Sequence, residues 1–193
     1  INKVCGSGMK ATMLAHDLIN AGSANIVVSG GMESMTNAPY LLQKARGGYR
    51  VGHDRIIDHM MMDGLEDAYE TGRSMGDFGE AAAEAYQFSR KDQDDYAVET
   101  LTRARKAVES GAFKKEIAPV SLPQKKGDPI LFATDEFLNR KTSAEGLAGL
   151  RPAFDKTGSV TAGNASGLND GAAAVVLMSA AMSSGAGGVG STT

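Results

Sequence analysis

The sequence predicts an α/β fold, on three observations. Between Met9 and Asn20 the apolar residues Ala11, Leu14, Ala15, Leu18 and Ile19 recur at the spacing of one helical face. Two runs, Asn25 to Ser29 and Ala172 to Met178, are short and almost continuously apolar, the pattern of strands covered on both faces. A long insertion separates them, with helical periodicity in its middle and turn residues around it.

The elements follow in order. Gly22 stands where a helix takes its left-handed C-terminal residue, and Gly30-Gly31 is expected to end the first strand. Helix, tight turn and buried strand make the second half of a βαβ unit. From about Ser34 to Gly76 the chain reads as irregular and rich in Met, Gly and Asp. Phe78, Ala81, Ala82 and Ala85 share one helical face. A second helix begins at the capping-box pattern Ser89-Arg90-Lys91-Asp92, carries Ala97, Leu101, Ala104 and Val108, and closes at Gly111. Ile117 to Leu122 and Pro129 to Phe132 are short strand candidates, and Val160 to Gly171 is turn-rich. Strands Ile26-Ser29 and Ala172-Met178 are expected to pair, and an antiparallel or unpaired arrangement would count against this reading.

The 193 residues suffice for one compact domain and a second small one. With 42% hydrophobic and 22% charged residues, the composition is that of a folded globular chain rather than a disordered one. A net charge of −3 leaves no dominant basic face, which argues against nucleic-acid binding. No apolar run approaches the roughly 20 residues that span a bilayer, so no membrane partner is expected. One cysteine excludes an intrachain disulfide and fits a reducing compartment. The chain opens at Ile1 directly into a structured motif, so a preceding segment is expected and targeting cannot be read from this end. The stretch 180–193 is Gly/Ser-rich and reads as a flexible tail.

The residue with the clearest chemistry is Cys5. It lies at the start of the first helix, where unpaired backbone N–H groups and the helix dipole favour a thiolate. Gly6 and Gly8 permit a sharp entry into the helix and close approach of another backbone or a thioester. This is the logic of a strand-to-helix nucleophile elbow. On spacing alone two readings stand, a nucleophile and a buried structural cysteine, the commoner role of a free Cys.

Four ordered motifs carry a resemblance to the thiolase family. Val4-Cys5-Gly6-Ser7-Gly8-Met9-Lys10-Ala11 is similar to its acyl-cysteine motif, and Gly30-Gly31-Met32-Glu33-Ser34-Met35 follows at the family's distance. Leu150-Arg151-Pro152-Ala153-Phe154 resembles a third segment. The run from Thr161 through Asn164, Ala165, Ser166 and Gly167 to Ala172 resembles the central signature. The resemblance covers Ile1 to about Ser179. The wording around Cys5 looks more like the short-chain, acetoacetyl-CoA type than the long-chain degradative type.

The resemblance implies part of a five-layered α-β-α-β-α fold. Residues 1–34 and 161–179 would belong to the N-terminal domain and 35–160 to an inserted loop domain, with the two paired strands central and edge members of a five-stranded layer. It implies acyl transfer between coenzyme A thioesters, with Cys5 taking the acyl group. It also implies a base for the thiol, a second cysteine for the α-proton and an asparagine near the thioester oxygen. The family carries these in Gly-His-Pro, Cys-Gly-Gly and Asn-Glu-Ala-Phe motifs, none of which occurs here. The chain is therefore expected to be a central portion of a longer protein and inactive alone. Substrate-binding roles carry over to Ser166, against the pantetheine arm, and to Met75, lining the acyl pocket. Many relatives have histidine where Ser74 precedes Met75, which puts that local contact in doubt. Arg140 and Lys141 are candidates for the nucleotide phosphate on charge alone, with a solvated loop pair as the alternative.

His16 lies opposite the apolar stripe, and His53 and His59 lie in the Met-rich stretch. None sits in a base motif or at zinc-site spacing, so no metal is expected. Met60-Met61-Met62 fits a subunit interface better than an acyl-facing wall. The expected partners are acetyl-CoA and acetoacetyl-CoA, in a cytoplasmic homodimer or homotetramer, with no cofactor beyond the coenzyme A thioesters. The competing readings are a 3-ketoacyl-CoA thiolase of broader chain length, a condensing enzyme using an acyl carrier protein, and a remnant that binds without turnover. The Asn164-to-Ala172 signature and Gly31-Met32-Glu33-Ser34 argue against the carrier-protein enzyme.

Overall fold

A computed structural model describes residues 1–139 and 142–185. The elements are α1 (Ser7–Asn20), β1 (Ile26–Glu33), β2 (Tyr40–Leu41), β3 (Ile57–Asp58), α2 (Met75–Ala85), α3 (Arg90–Glu109), β4 (Val120–Leu122), β5 (Ile130–Phe132), α4 (Ala144–Ala148), β6 (Gly171–Met178) and α5 (Ala180–Gly185). A 3₁₀ turn, Val4–Gly6, precedes α1, and a π-helix, Met60–Leu65, follows β3. The chain divides into two compact units, one of residues 1–74 with the chain from Gly167 onward, the other Met75–Ser166. Among the described residues no helix is long and apolar enough to cross a membrane.

In the first unit α1 packs on a two-stranded sheet of β1 and β6. The helix ends as its sequence requires. Gly22 has φ +69°, and the amides of Gly22 and Ser23 bond back to the carbonyls of Ile19 and Leu18. Strand β1 does not stop at Gly30-Gly31 but runs on to Glu33. The glycines serve close approach instead of termination. A Cβ on Gly30 would overlap the carbonyl oxygen of Ala173 on β6, and one on Gly31 would stand 3.1 Å from Cα of Gly8 in the first turn of α1.

The two strands pair as expected but antiparallel, from Ile26 opposite Met178 to Glu33 opposite Gly171. This corrects the expectation about their direction. Because Glu33 and Gly171 are neighbours, the chain leaves β1 and re-enters β6 at the same end of the sheet, whereas parallel pairing needs a crossover to the other end. Val27 and Ser29 turn toward α1, and the alternate residues turn away. On that second face Val28 is 69% and Val176 60% exposed. Full burial of both strands is thus also corrected: one helix covers one face, and the other lies open in this chain.

In the second unit Ser89 caps α3 reciprocally with Asp92, as the capping-box pattern predicts. Strands β4 and β5 fall within the two short strand candidates and pair with each other, also antiparallel. Leu147 of α4 is 3% exposed and Ala83 of α2 8%.

Replacing Gly30 by alanine should therefore cost far more than replacing Gly22. The first forces a methyl into a neighbouring strand's backbone, an overpacking cost of about 1–3 kcal/mol or more. The second only strains a left-handed residue in open space, costing about 1 kcal/mol. Denaturant unfolding of both variants checks the order, and equal losses would contradict the packing described.

Candidate active site

Cys5 sits in the 3₁₀ turn that feeds α1, and its side chain is exposed. The residue before it is strained, since Val4 has φ +51°, a left-handed conformation that a β-branched side chain rarely adopts. Its polar groups are fully engaged. The Val4 amide donates to Asn2 Oδ1 at 2.9 Å, and the Val4 carbonyl accepts from the Ser7 hydroxyl at 2.8 Å. Ser7 Oγ in turn accepts from the Lys3 amide at 2.8 Å. Surroundings that over-determine a strained residue are how such turns persist at reactive positions. The turn is also fixed to the sheet. Thr12 Oγ1 bonds the Gly8 carbonyl at 3.0 Å and lies 3.1 Å from Ser29 Oγ on β1. The π-helix Met60–Leu65 packs against the same turn. The methionine run Met60-Met61-Met62 thus lies in the element that packs against the Cys5 turn.

Ser166 is exposed at the end of the second unit, after a closed loop. Thr161 is fully buried, and its hydroxyl accepts from the amides of Gly163 and Asn164, both at 3.2 Å. Asn164 Oδ1 accepts from the Thr161 amide at 2.7 Å. Met75 opens α2 and is 54% exposed. Arg140 and Lys141 lie outside the described residues. His16 is exposed on α1, with its ring 2.9 Å from the Asn20 amide nitrogen. His59 pairs with Asp63 at 2.9 Å across one turn of the π-helix. Among the described residues no three His, Cys, Asp or Glu side chains converge as a metal site.

Three acidic residues have roles that the sequence reading did not assign, Asp170 inside the signature motif and two outside it. Asp170 ties the two ends of the insertion together: it accepts from the Thr36 amide at 2.9 Å and the Ser34 hydroxyl at 3.1 Å. The other two, Glu80 and Asp94, hold the loop from the helices of the second unit. Their partners are 70 or more residues away in sequence, so no local pattern marks them.

A strained turn bearing an exposed cysteine at a helix start, with that helix packed on antiparallel β1 and β6, makes this an α/β chain that presents a thiol at a helix N-terminus. The chain belongs to the family described as thiolase, N-terminal domain, whose model matches residues 1–181. It is 52% identical over 181 residues to acetyl-CoA acetyltransferase of Cupriavidus necator, covering 94% of this chain and 46% of that protein. A probable acetyl-CoA acyltransferase of Staphylococcus epidermidis is 49% identical over 178 residues, covering 92% of this chain and 45% of its own. The crystal structure of the Bacillus anthracis acetyl-CoA acetyltransferase superposes with a TM-score of 0.86 at 42% identity, over 97% of this chain and 47% of that one. The chain thus spans about half the length of the curated relatives it matches.

The Thr36 amide, helped by the Ser34 hydroxyl, holds the Asp170 carboxyl below the usual aspartate range. A depressed folded value means that the stabilisation is present above the unfolded value and is lost as pH falls through the folded one. A carboxyl-carbon NMR titration should show Asp170 titrating below an exposed aspartate. The Thr36 amide should shift with the same midpoint. An ordinary Asp170 midpoint would contradict the tie.

Proposed function

We propose that this chain carries the acyl-accepting nucleophile of a thiolase-type acyltransferase that joins two acetyl-CoA molecules into acetoacetyl-CoA and CoA, or runs the reverse. The observation that carries this reading is Cys5, exposed at the head of α1 in a turn whose strain is locked by Ser7 and Asn2. The Cys5 thiolate attacks the thioester carbonyl, a new C–S bond forms, the C–S bond to coenzyme A breaks, and coenzyme A leaves as a thiolate that takes up a proton. The α-carbanion of a second acetyl-CoA then attacks the acetyl group and releases Cys5. Ser166 serves as a contact for the pantetheine arm, Met75 as a wall of the acyl pocket and Arg140 as a partner for the nucleotide phosphate.

The second step needs a base and a pair of oxyanion donors. Losing one such donor costs about 10²–10³ in rate. Because the base motifs of the family are absent from this sequence, the chain by itself takes an acetyl group but does not turn over. The reading carries with it a cytoplasmic setting, coenzyme A thioesters as substrates without a separate cofactor, and a homodimer or homotetramer. The open face of the β1/β6 sheet supplies apolar surface for such an assembly.

Mass spectrometry of the chain after incubation with acetyl-CoA should show one added acetyl group on Cys5, and none in Cys5→Ser. Steady-state assays should show no acetoacetyl-CoA formation. No adduct on the unaltered chain, or an equal adduct on Cys5→Ser, would overturn the assignment. The same incubation with longer acyl-CoA thioesters separates a short-chain enzyme from a broader 3-ketoacyl-CoA thiolase.

A further inference from the structure

The loop that ends at Ser166 is held by two carboxylates from helices well apart from it in sequence. Glu80, half-buried on α2, accepts from the Ser159 amide at 2.8 Å, from the Val160 amide at 2.8 Å and from the Ser159 hydroxyl at 3.2 Å. A Cβ at Gly158 would overlap this carboxylate, so the chain passes it at a residue without a side chain. Asp94, 8% exposed on α3, accepts from Asn164 Nδ2 at 2.9 Å and from Arg90 Nε at 2.8 Å. Arg90 is itself fixed, since its Nη2 donates to the carbonyls of Leu147 and Leu150 at 2.6 and 3.0 Å. Asn164 completes the set by donating to the Ser159 carbonyl at 3.1 Å.

The loop's polar groups are thus fastened at two points. Glu80 takes the amides entering it, and Asp94 takes the asparagine in its middle. Charge-assisted bonds of this kind are the strong ones, and a half-buried carboxylate is a costly choice for a purely structural contact unless its acceptor geometry is needed. The fixed segment leads directly into Ser166, the first residue after the closed turn.

We propose that Glu80 and Asp94 are positioning residues for substrate binding, holding residues 159–165 so that Ser166 meets the pantetheine arm of a coenzyme A thioester in one fixed place. This rests on the reading of Ser166 given above. Neither carboxylate touches the substrate, and both act through the loop.

The test is titration of the full chain with coenzyme A, followed by the amide NMR signals of residues 161–167. Glu80→Gln keeps the size of the side chain but turns an N–H₂ toward an amide that needs an acceptor. Its affinity should fall on the order of tenfold, the equivalent of one lost charge-assisted hydrogen bond. Glu80→Asp keeps both acceptor oxygens and should recover part of the loss. Gly111→Ala, at the far end of α3 where φ is +73°, should lower the melting temperature and leave the affinity alone, which separates positioning from general destabilisation. Should Glu80→Gln fail to fold, Ser159→Ala removes the hydroxyl that donates to Glu80 and accepts from Gln93 Nε2 at 2.9 Å, leaves both backbone bonds to Glu80 in place, and should show a smaller loss in the same direction. If the unaltered chain responds to coenzyme A and Glu80→Gln, or Ser159→Ala in its place, responds equally, this inference falls while the substrate reading stands. Should coenzyme A leave the loop amides of the unaltered chain unmoved, both fall.

Discussion

The constraint that seats the Cys5 helix in the first unit is the contact of two backbones, the first turn of α1 against the Gly30-Gly31 step of β1. A Cβ on Gly8 would lie 3.4 Å from the Gly31 nitrogen, and one on Gly31 would lie closer still to Gly8. With no side chains between them, helix and strand can approach closely at this point. Thr12 and Ser29 add a hydrogen bond beside the contact. The position of the Cys5 turn follows from it. A turn that enters a helix pressed onto a strand cannot rock, so the strain at Val4 is retained instead of relaxed.

A second principle governs the other unit, where carboxylates supply the acceptors that a loop lacks. A turn such as 159–166 exposes more amides than its own carbonyls can satisfy, and buried amides must find partners. Glu80 and Asp94 fill that need from two helices, and Arg90 balances Asp94 while gathering the end of α4. The same chemistry recurs at Asp170, whose carboxylate closes the chain between β1 and β6 on itself. Each of these carboxylates joins segments distant in sequence, so together they do for the loops what the strand ladder does for the sheet.

The sheet of β1 and β6 is covered on one side only. Its helix-facing side carries Val27 and Ser29, while Val28 and Val176 on the other side meet solvent. Residues this apolar in composition suit strands covered twice. The open face is apolar, and it lies on the back of the same two strands that support the Cys5 helix.

Much of the architecture was legible because it is local. The stripe of Ala11, Leu14, Ala15 and Leu18, the stop at Gly22, the Ser89–Asp92 cap and the apolar run of β6 all express periods and caps spanning a few residues. Cys5 at a helix start was legible for the same reason, since helix N-termini are set by the residues next to them. What the sequence by itself determined, then, was α1, α2, α3 and the strands β1, β4, β5 and β6, the place of Cys5 at a helix start and the family motifs, whereas β2, β3, the π-helix, α4 and α5 fell in stretches read as irregular, as turns or as tail. The tertiary structure alone decided the antiparallel sense of β1 and β6, because direction depends on which end of the sheet a long insertion returns to. It decided that Gly30-Gly31 continues a strand, because a glycine reads as a breaker until the backbone packed against it is known. It decided, too, that Glu80 and Asp94 serve the signature loop, because bonds between residues 70 or 80 positions apart leave no periodic trace in a chain.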